Sequence, residues 1–209
     1  MLRFAVISEG PTDQRVIENI LWGYFDEPAV NAFHPPPGGP GGWLRVIRAV
    51  ESGAHRRALE NNEYVVIHID TDVSQDPGFH VPHQEGNHTL SVEQLTERVI
   101  SRLLGLMDAP FIEKHGHRVI FAVAVHSIEC WFLPLLYQDA KAAKPVGCLR
   151  AVNNALKKLN QDSLSPGEDK APRRNDEVSR AFLKRKDLLD APERNPSLGE
   201  FIKRLPSAV

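Results

Sequence analysis

Sulfur is scarce in this chain: two cysteines and two methionines stand among 209 residues. Cys130 and Cys148 make no CxxC motif and share no zinc-site spacing with histidine, which leaves a zinc ribbon or a thioredoxin-like redox centre without its ligands. They read as reduced thiols of a cytoplasmic protein, one of them inert in an apolar run. No apolar run is long enough to cross a bilayer. The opening residues MLRFAVISEG lack a basic segment, a long apolar segment and a cleavage motif, so no secretory signal is expected. Basic charge is not in excess either. Lys and Arg number 25 against 27 Asp and Glu, a net charge of −2. That excludes a general cationic coat for nucleic acid, so a polyanion must be met by a local patch or through bound metal. The chain has no GxxxxGK[ST] phosphate loop and no internal repeat.

What remains is the composition of an ordinary globular protein, 42% hydrophobic and 25% charged. Three apolar runs rich in β-formers read as buried strands: LRFAVIS at 2–8, YVVIHID at 64–70 and HRVIFAVAV at 117–125. Helical periodicity follows the first from Thr12, which suits an N-cap, and recurs at 43–60 and 91–107. The segment 26–42, with HPPPGGPGG, reads as a mobile loop. A second long loop at 73–90 carries His80, His83 and His88. A short amphipathic helix, HSIECWFLPLL, follows the third strand. Alternating strands and helices predict an α/β fold, a parallel sheet flanked by helices on both faces. Residues 1–140 form that domain. Residues 141–209 form a helical C-terminal extension packed on it, with helices at 147–160, 176–189 and 197–205.

Each strand leads into acids. Glu9 follows the first, Asp70 and Asp72 end the second, and Glu129 comes soon after the third. Asp13 lies one helical turn beyond Glu9. In an open parallel sheet the C-terminal strand ends share the edge where ligands bind. Carboxylates that converge there need compensation for their charge, and divalent metal supplies it. Oxygen ligands without cysteine favour Mg²⁺ or Mn²⁺ over zinc. The carboxylate at the turn then holds a metal that meets a phosphate.

EGPTD after a strand, with Asp70-x-Asp72 after a later one, resembles the Toprim signature shared by topoisomerases, primases and several nucleases. The likeness is greatest to the nuclease branch in overcoming-lysogenization-defect (OLD) proteins and their small relatives in bacterial defence systems, in which an IExW segment like that in HSIECWFLP is typical. The resemblance covers roughly residues 1–136. It implies a Toprim-like fold and a Mg²⁺-dependent endonuclease of antiviral defence. Glu9, Asp13, Asp70, Asp72 and Glu129 are its metal-binding and catalytic acids. It also implies a catalytic lysine near the end of the domain, with Lys184, Lys186 and Lys203 as candidates. The expected partners are nucleic acid, DNA or RNA, and a separate protein such as an ATPase, since the chain lacks the ATPase domain of full-length OLD proteins.

Each feature also has a plainer reading. Glu9 and Asp13 suit the positive end of a helix dipole, and Asp is common in turns. Glu129 suits a buried ion pair, and His126 a hydrogen-bonded residue at the sheet edge. The loop histidines fit no zinc spacing and read as solvated. Trp22 and Trp131 read as core. In APRRNDEVSRAFLKRK, a solvated helix face competes with a phosphate-tracking one in which Arg180, Lys184 and Lys186, with Lys203 beyond, contact nucleic acid. Two other functions suit the same acids: phosphoryl or nucleotidyl transfer to a small molecule, and a non-catalytic regulatory or binding subunit.

Overall fold

In the computed structural model, which describes residues 1–164 and 172–207, the elements follow the chain as β1 (Arg3–Ile7), α1 (Pro11–Tyr24), β2 (Ala29–His34), α2 (Trp43–Glu51), α3 (Ala54–Leu59) and β3 (Tyr64–Asp70). A two-residue hairpin, β4 (Gln84–Glu85) and β5 (His88–Thr89), precedes α4 (Val92–Leu104), α5 (Ala109–His115) and β6 (Val119–Ala124). A 3-10 turn (Ile128–Phe132) leads to α6 (Leu133–Leu136) and to the C-terminal helices α7 (Cys148–Lys158), α8 (Pro172–Ser179), α9 (Arg185–Asp190) and α10 (Pro196–Arg204).

Four strands make one sheet in the order β2-β1-β3-β6, and every neighbouring pair is parallel. Helices cover both faces, as the alternation of elements predicts. On one face Phe4, Val6, Val66 and Ala122 pack with Val16, Ile17 and Ile20 of α1 and with Cys148, Val152, Leu198 and Phe201 of the C-terminal helices. On the other, Ala5, Ile7, Ile67 and Phe121 pack with α2 to α5 through Val46, Val50, Leu95, Val99 and Phe111. Chain order in the sheet runs outward from β1 to β2, then reverses to β3 on its other side. The reversal point lies at the C-terminal ends of β1 and β3, the place where open α/β sheets carry a ligand crevice.

The C-terminal helices share a core with the sheet and also satisfy its edge. Ser197 Oγ accepts from Val125 N (2.9 Å) and Trp131 Nε1 (2.9 Å) and donates to the Val123 carbonyl (3.1 Å). One hydroxyl thus fixes α10, the end of β6 and the largest buried side chain of the core.

Several expectations are corrected. The segment 26–42 contains β2, an edge strand of partly buried and exposed residues that precedes the prolines. The Gly-rich stretch after it is packed: Gln14 Nε2 donates to Pro35 O (2.9 Å) and Gly42 N to Glu9 O (2.6 Å). The helix expected at 43–60 breaks at Ser52-Gly53, where Gly53 takes a left-handed conformation (φ 75°). α5 was not foreseen, because its seven residues are too short to show a period. The loop 73–90 is anchored by Phe79, fully buried and stacked on Trp43 at 5.7 Å. Thr12 is buried in the first turn of α1, while Gly10 takes the N-cap position. Trp131 is core, but Trp22 is 42% exposed, its indole N–H donating to Pro28 O (3.2 Å) beside Arg15. Cys130 and Cys148 are not free thiols: they form a disulfide joining the 3-10 turn to the start of α7. Residues 165–171, within the stretch between the helices expected at 147–160 and 176–189, lie outside the described residues.

Candidate functional site

β1 ends at Ile7, and the chain turns through Ser8, Glu9 and Gly10 into α1. Ser8 N donates to the last residue of β2, His34 O (2.8 Å), while Ser8 Oγ donates to Gly10 O (2.9 Å). The turn is thereby fixed against its neighbours on both sides. Its carboxylate reaches the next strand: Glu9 Oε1 accepts from Asp70 N at 2.8 Å. Asp13 is buried in the first turn of α1, with Oδ2 3.7 Å from where a Cβ on Gly10 would stand. Its carboxylate therefore folds back toward Gly10.

Asp70 closes β3 and is 9% exposed. It shares a strand face with His68, two residues earlier, and its Oδ1 lies 3.4 Å from His68 Nε2. His68 is itself fully buried, edge-on to Trp131 with ring centres 5.9 Å apart. That is the face covered by α1 and by the 3-10 turn, which carries Glu129 at 2% exposure. Asp72 is exposed beyond the strand end, its N–H bonded to His126 O (2.9 Å).

His126 has a φ of 70°, an uncommon conformation for a residue with a side chain. It is held there by Thr71, whose Oγ1 accepts from His126 N (2.7 Å) and whose N–H bonds to His126 O (3.1 Å). Such strain concentrates at functional sites. His83 of the anchored loop reaches the same place, with Nε2 2.7 Å from Thr71 O. His80 and His88 are exposed, as solvated loop residues should be.

A glycine passage completes the edge. A Cβ on Gly41 would stand 1.9 Å from Glu9 O, so only glycine lets residues 41–42 lie against that carbonyl. α2 starts immediately afterwards, directing its positive end toward the same edge. Beside it, His34, Arg45, Arg48, Ser52 and Arg57 line a cavity of about 390 Å³. Burial, and then the charge of Arg45, lowers the pKa of His34. Arg57 also holds Ser52 O (2.8 Å).

Comparison with known proteins found no matching family model, no similar curated protein and no similar solved structure.

The crevice therefore stands on its own geometry. Glu9 is tied to the Asp70 backbone, Asp13 stands in the first turn of α1 beside Gly10, Glu129 is buried on the sheet face of His68 and Asp70, and Asp72 is exposed beyond the strand end. Among the described residues, no three His, Cys, Asp or Glu side chains are grouped to hold a metal ion unaided. The donor chemistry nevertheless fits Mg²⁺, which is commonly bound by one or two carboxylates, several waters and substrate phosphates rather than by an all-protein cage.

The lysines are placed elsewhere. Arg185 donates to Tyr24 O and lies over the Tyr24 ring at 5.4 Å, so Lys184, Arg185 and Lys186 sit at the C-terminal end of α1. α1 has 14 residues, which makes it about 20 Å long. A lysine side chain does not span that distance to Glu9, and the expected catalytic role of Lys184 or Lys186 is corrected on that ground. Arg180 is held by Asp176 (2.9 Å) and Lys203 by Glu200 (2.8 Å). α8 is largely a docking helix. Asp176 Oδ1 takes Arg15 Nε (3.1 Å) and Asn19 Nδ2 (3.1 Å), and Ser179 Oγ takes Asn19 Nδ2 (2.7 Å), tying α8 to α1. Sequence reasoning missed Arg45, Arg48 and His83. The arginines looked like an ordinary polar helix face, and only the fold brings them to one cavity with His34 at the end of β2.

Proposed function

We propose that the protein is a Mg²⁺- or Mn²⁺-dependent phosphodiester hydrolase acting on nucleic acid, a Toprim-like endonuclease of the kind the EGPTD and Asp70-x-Asp72 motifs resemble. The observation that carries the reading is the union of Glu9 and Asp70, from two strands, at the reversal point of the sheet. Acids there have a use that a structural role alone does not supply, because ligands of open α/β sheets enter at this point.

When bound, the metal would supply positive charge for a phosphate and lower the pKa of a coordinated water. Glu9 and Asp70 would hold it, with Asp13 and Asp72 accepting from its waters. Glu9 also fixes the Asp70 backbone, so the two carboxylates keep one relative position. Arg45 and Arg48, beside the positive end of α2, would receive a phosphate of the substrate. His126 and His83, both anchored on Thr71, would move a proton or bind a phosphate oxygen.

The cavity next to Arg45 and Arg48 favours a second reading, phosphoryl or nucleotidyl transfer to a small molecule, because about 390 Å³ is ligand-sized. One experiment separates the two. Plasmid, single-stranded DNA, RNA and nucleoside triphosphates are each incubated with Mg²⁺, Mn²⁺ or chelator. Metal-dependent cleavage of a polymer supports the hydrolase. Turnover of the triphosphate alone supports the transfer enzyme.

A further inference from the structure

We propose that the outward face of α7 is a binding site for the phosphate backbone of a nucleic-acid strand, separate from the acidic crevice. The choice of polymer rests on the proposed function, while the location rests on the side chains alone. α7 is amphipathic. Cys148, Val152, Ala155 and Leu156 are buried, whereas Arg150, Asn154, Lys157 and Lys158 are exposed on the opposite side. These exposed residues, with Tyr137, Lys141 and Lys144 from the preceding segment, line a cavity of about 580 Å³.

Five cations therefore face one hollow in a protein whose net charge is −2. Among the described residues, Lys141 alone of the five has a carboxylate near it, Asp139 at 3.7 Å, and its ammonium also lies 5.3 Å from the centre of the Tyr137 ring. The helix dipole accounts for Lys157 and Lys158 in the last turn. It does not account for Lys141, Lys144 or Arg150, which gather near the opposite end. Like charges gathered around one hollow repel, and a polyanion relieves that repulsion.

The shape favours a chain of phosphates over a single one. From Arg150 to Lys158 the helix rises about 12 Å, well beyond the roughly 3.4 Å of duplex axis that one phosphate of a strand occupies, so the row of cations reaches more than one phosphate. The lining is mostly lysine and arginine, whose contacts with the phosphate backbone carry no sequence information, so binding is expected to be largely insensitive to sequence. The disulfide from Cys148 to Cys130 anchors α7 one residue from Glu129. A strand held on α7 is thus tied to the element that leads back to the crevice.

The test is binding without cleavage. Fluorescence anisotropy of a labelled single-stranded DNA, in EDTA and over a range of salt, is compared for wild type, Arg150→Gln/Lys157→Gln and Lys144→Gln/Lys158→Gln. Melting confirms folding of each variant, and the second pair decides if the first does not fold. Loss of two contacts is expected to weaken binding about tenfold at low salt and to flatten the log–log salt slope by roughly 1.4. Arg180→Gln/Lys184→Gln is expected to change neither. Unchanged affinity and slope in a folded pocket variant would overturn the site. So would pocket-dependent binding of inorganic tripolyphosphate with pocket-independent binding of DNA. Because no metal is present, a failed cleavage reaction leaves this result standing, and the reverse also holds.

Discussion

Glu9 Oε1 accepts a hydrogen bond from the backbone N–H of Asp70 at 2.8 Å, across 61 positions of sequence. One carboxylate thus binds the end of β3 to the turn after β1 and sets where the second carboxylate stands. The sequence suggested that these acids share an edge. It did not suggest that one of them positions the other.

That bond separates a structural from a chemical role for Glu9. Glu9→Ala removes the acceptor of a partly buried amide and is expected to lower stability by about 1–3 kcal/mol. Glu9→Gln retains a carbonyl oxygen for the Asp70 amide and is expected to stay near wild type in stability while losing metal-dependent activity. Denaturant titration and an activity assay on both variants check the pair. Equal stability of Glu9→Ala and wild type would show that the bond contributes nothing.

Gly41→Ala tests the glycine passage. A Cβ there would meet Glu9 O at 1.9 Å, a backbone atom that moves only with the turn itself. Overpacking of this kind costs about 1–3 kcal/mol, so a fall in melting temperature and in activity together is expected. Gly38→Ala is the comparison, since nothing lies within 4 Å of its Cβ position. Its φ of 73° still strains an alanine, and the smaller loss is expected there.

The contrast between these two glycines also shows what was legible beforehand. Apolar runs revealed β1, β3 and β6 because strands covered on both faces have nearly continuous hydrophobic sequences. The acids at their ends were visible for the same reason. β2 was not, because an edge strand buries little: AVNAFH has no fully buried residue, and the prolines after it dominate the local signal. Nor could composition show which cations approach which acids. Lys184 and Lys186 looked close to the site in a linear list, but α8 and α9 carry them to the far end of α1. Arg45 and Arg48 looked ordinary and line a cavity with His34, at the end of the strand next to β1.

Ser197→Ala is expected to destabilise the fold by about 2–4 kcal/mol. It leaves the buried donors Val125 N and Trp131 Nε1 without their shared acceptor. Thermal and denaturant unfolding measure the change. A difference within 0.5 kcal/mol, roughly the range of an ordinary surface substitution, would contradict the account of how α10 is fastened to β6.

Acid should destabilise the native state through His55. Burial, followed by the charge of neighbouring Arg56, lowers its pKa from 6.5 to about 4. The native state therefore keeps the ring neutral while the unfolded chain takes up a proton at higher pH. The contribution is fully present above pH 6.5 and is lost as pH falls through that value toward about 4. At about 1.4 kcal/mol per pH unit the full effect is about 3 kcal/mol. Unfolding free energies from pH 7 to 4 are expected to flatten in His55→Gln relative to wild type over that window, and parallel curves would contradict the assignment.

The central claim is that Glu9 and Asp70 form the metal-dependent catalytic edge. Its most direct test is the cleavage rate of plasmid, single-stranded DNA and RNA by wild type and by Asp70→Asn, in Mg²⁺ or Mn²⁺ and in chelator, with melting recorded alongside. The account predicts cleavage of at least one polymer that needs metal and that falls by at least about a hundredfold in a folded Asp70→Asn variant, in line with the loss of a single stabilising group at a catalytic centre. Cleavage by Asp70→Asn at the wild-type rate, or no cleavage of any polymer by folded wild type in either metal, would contradict it.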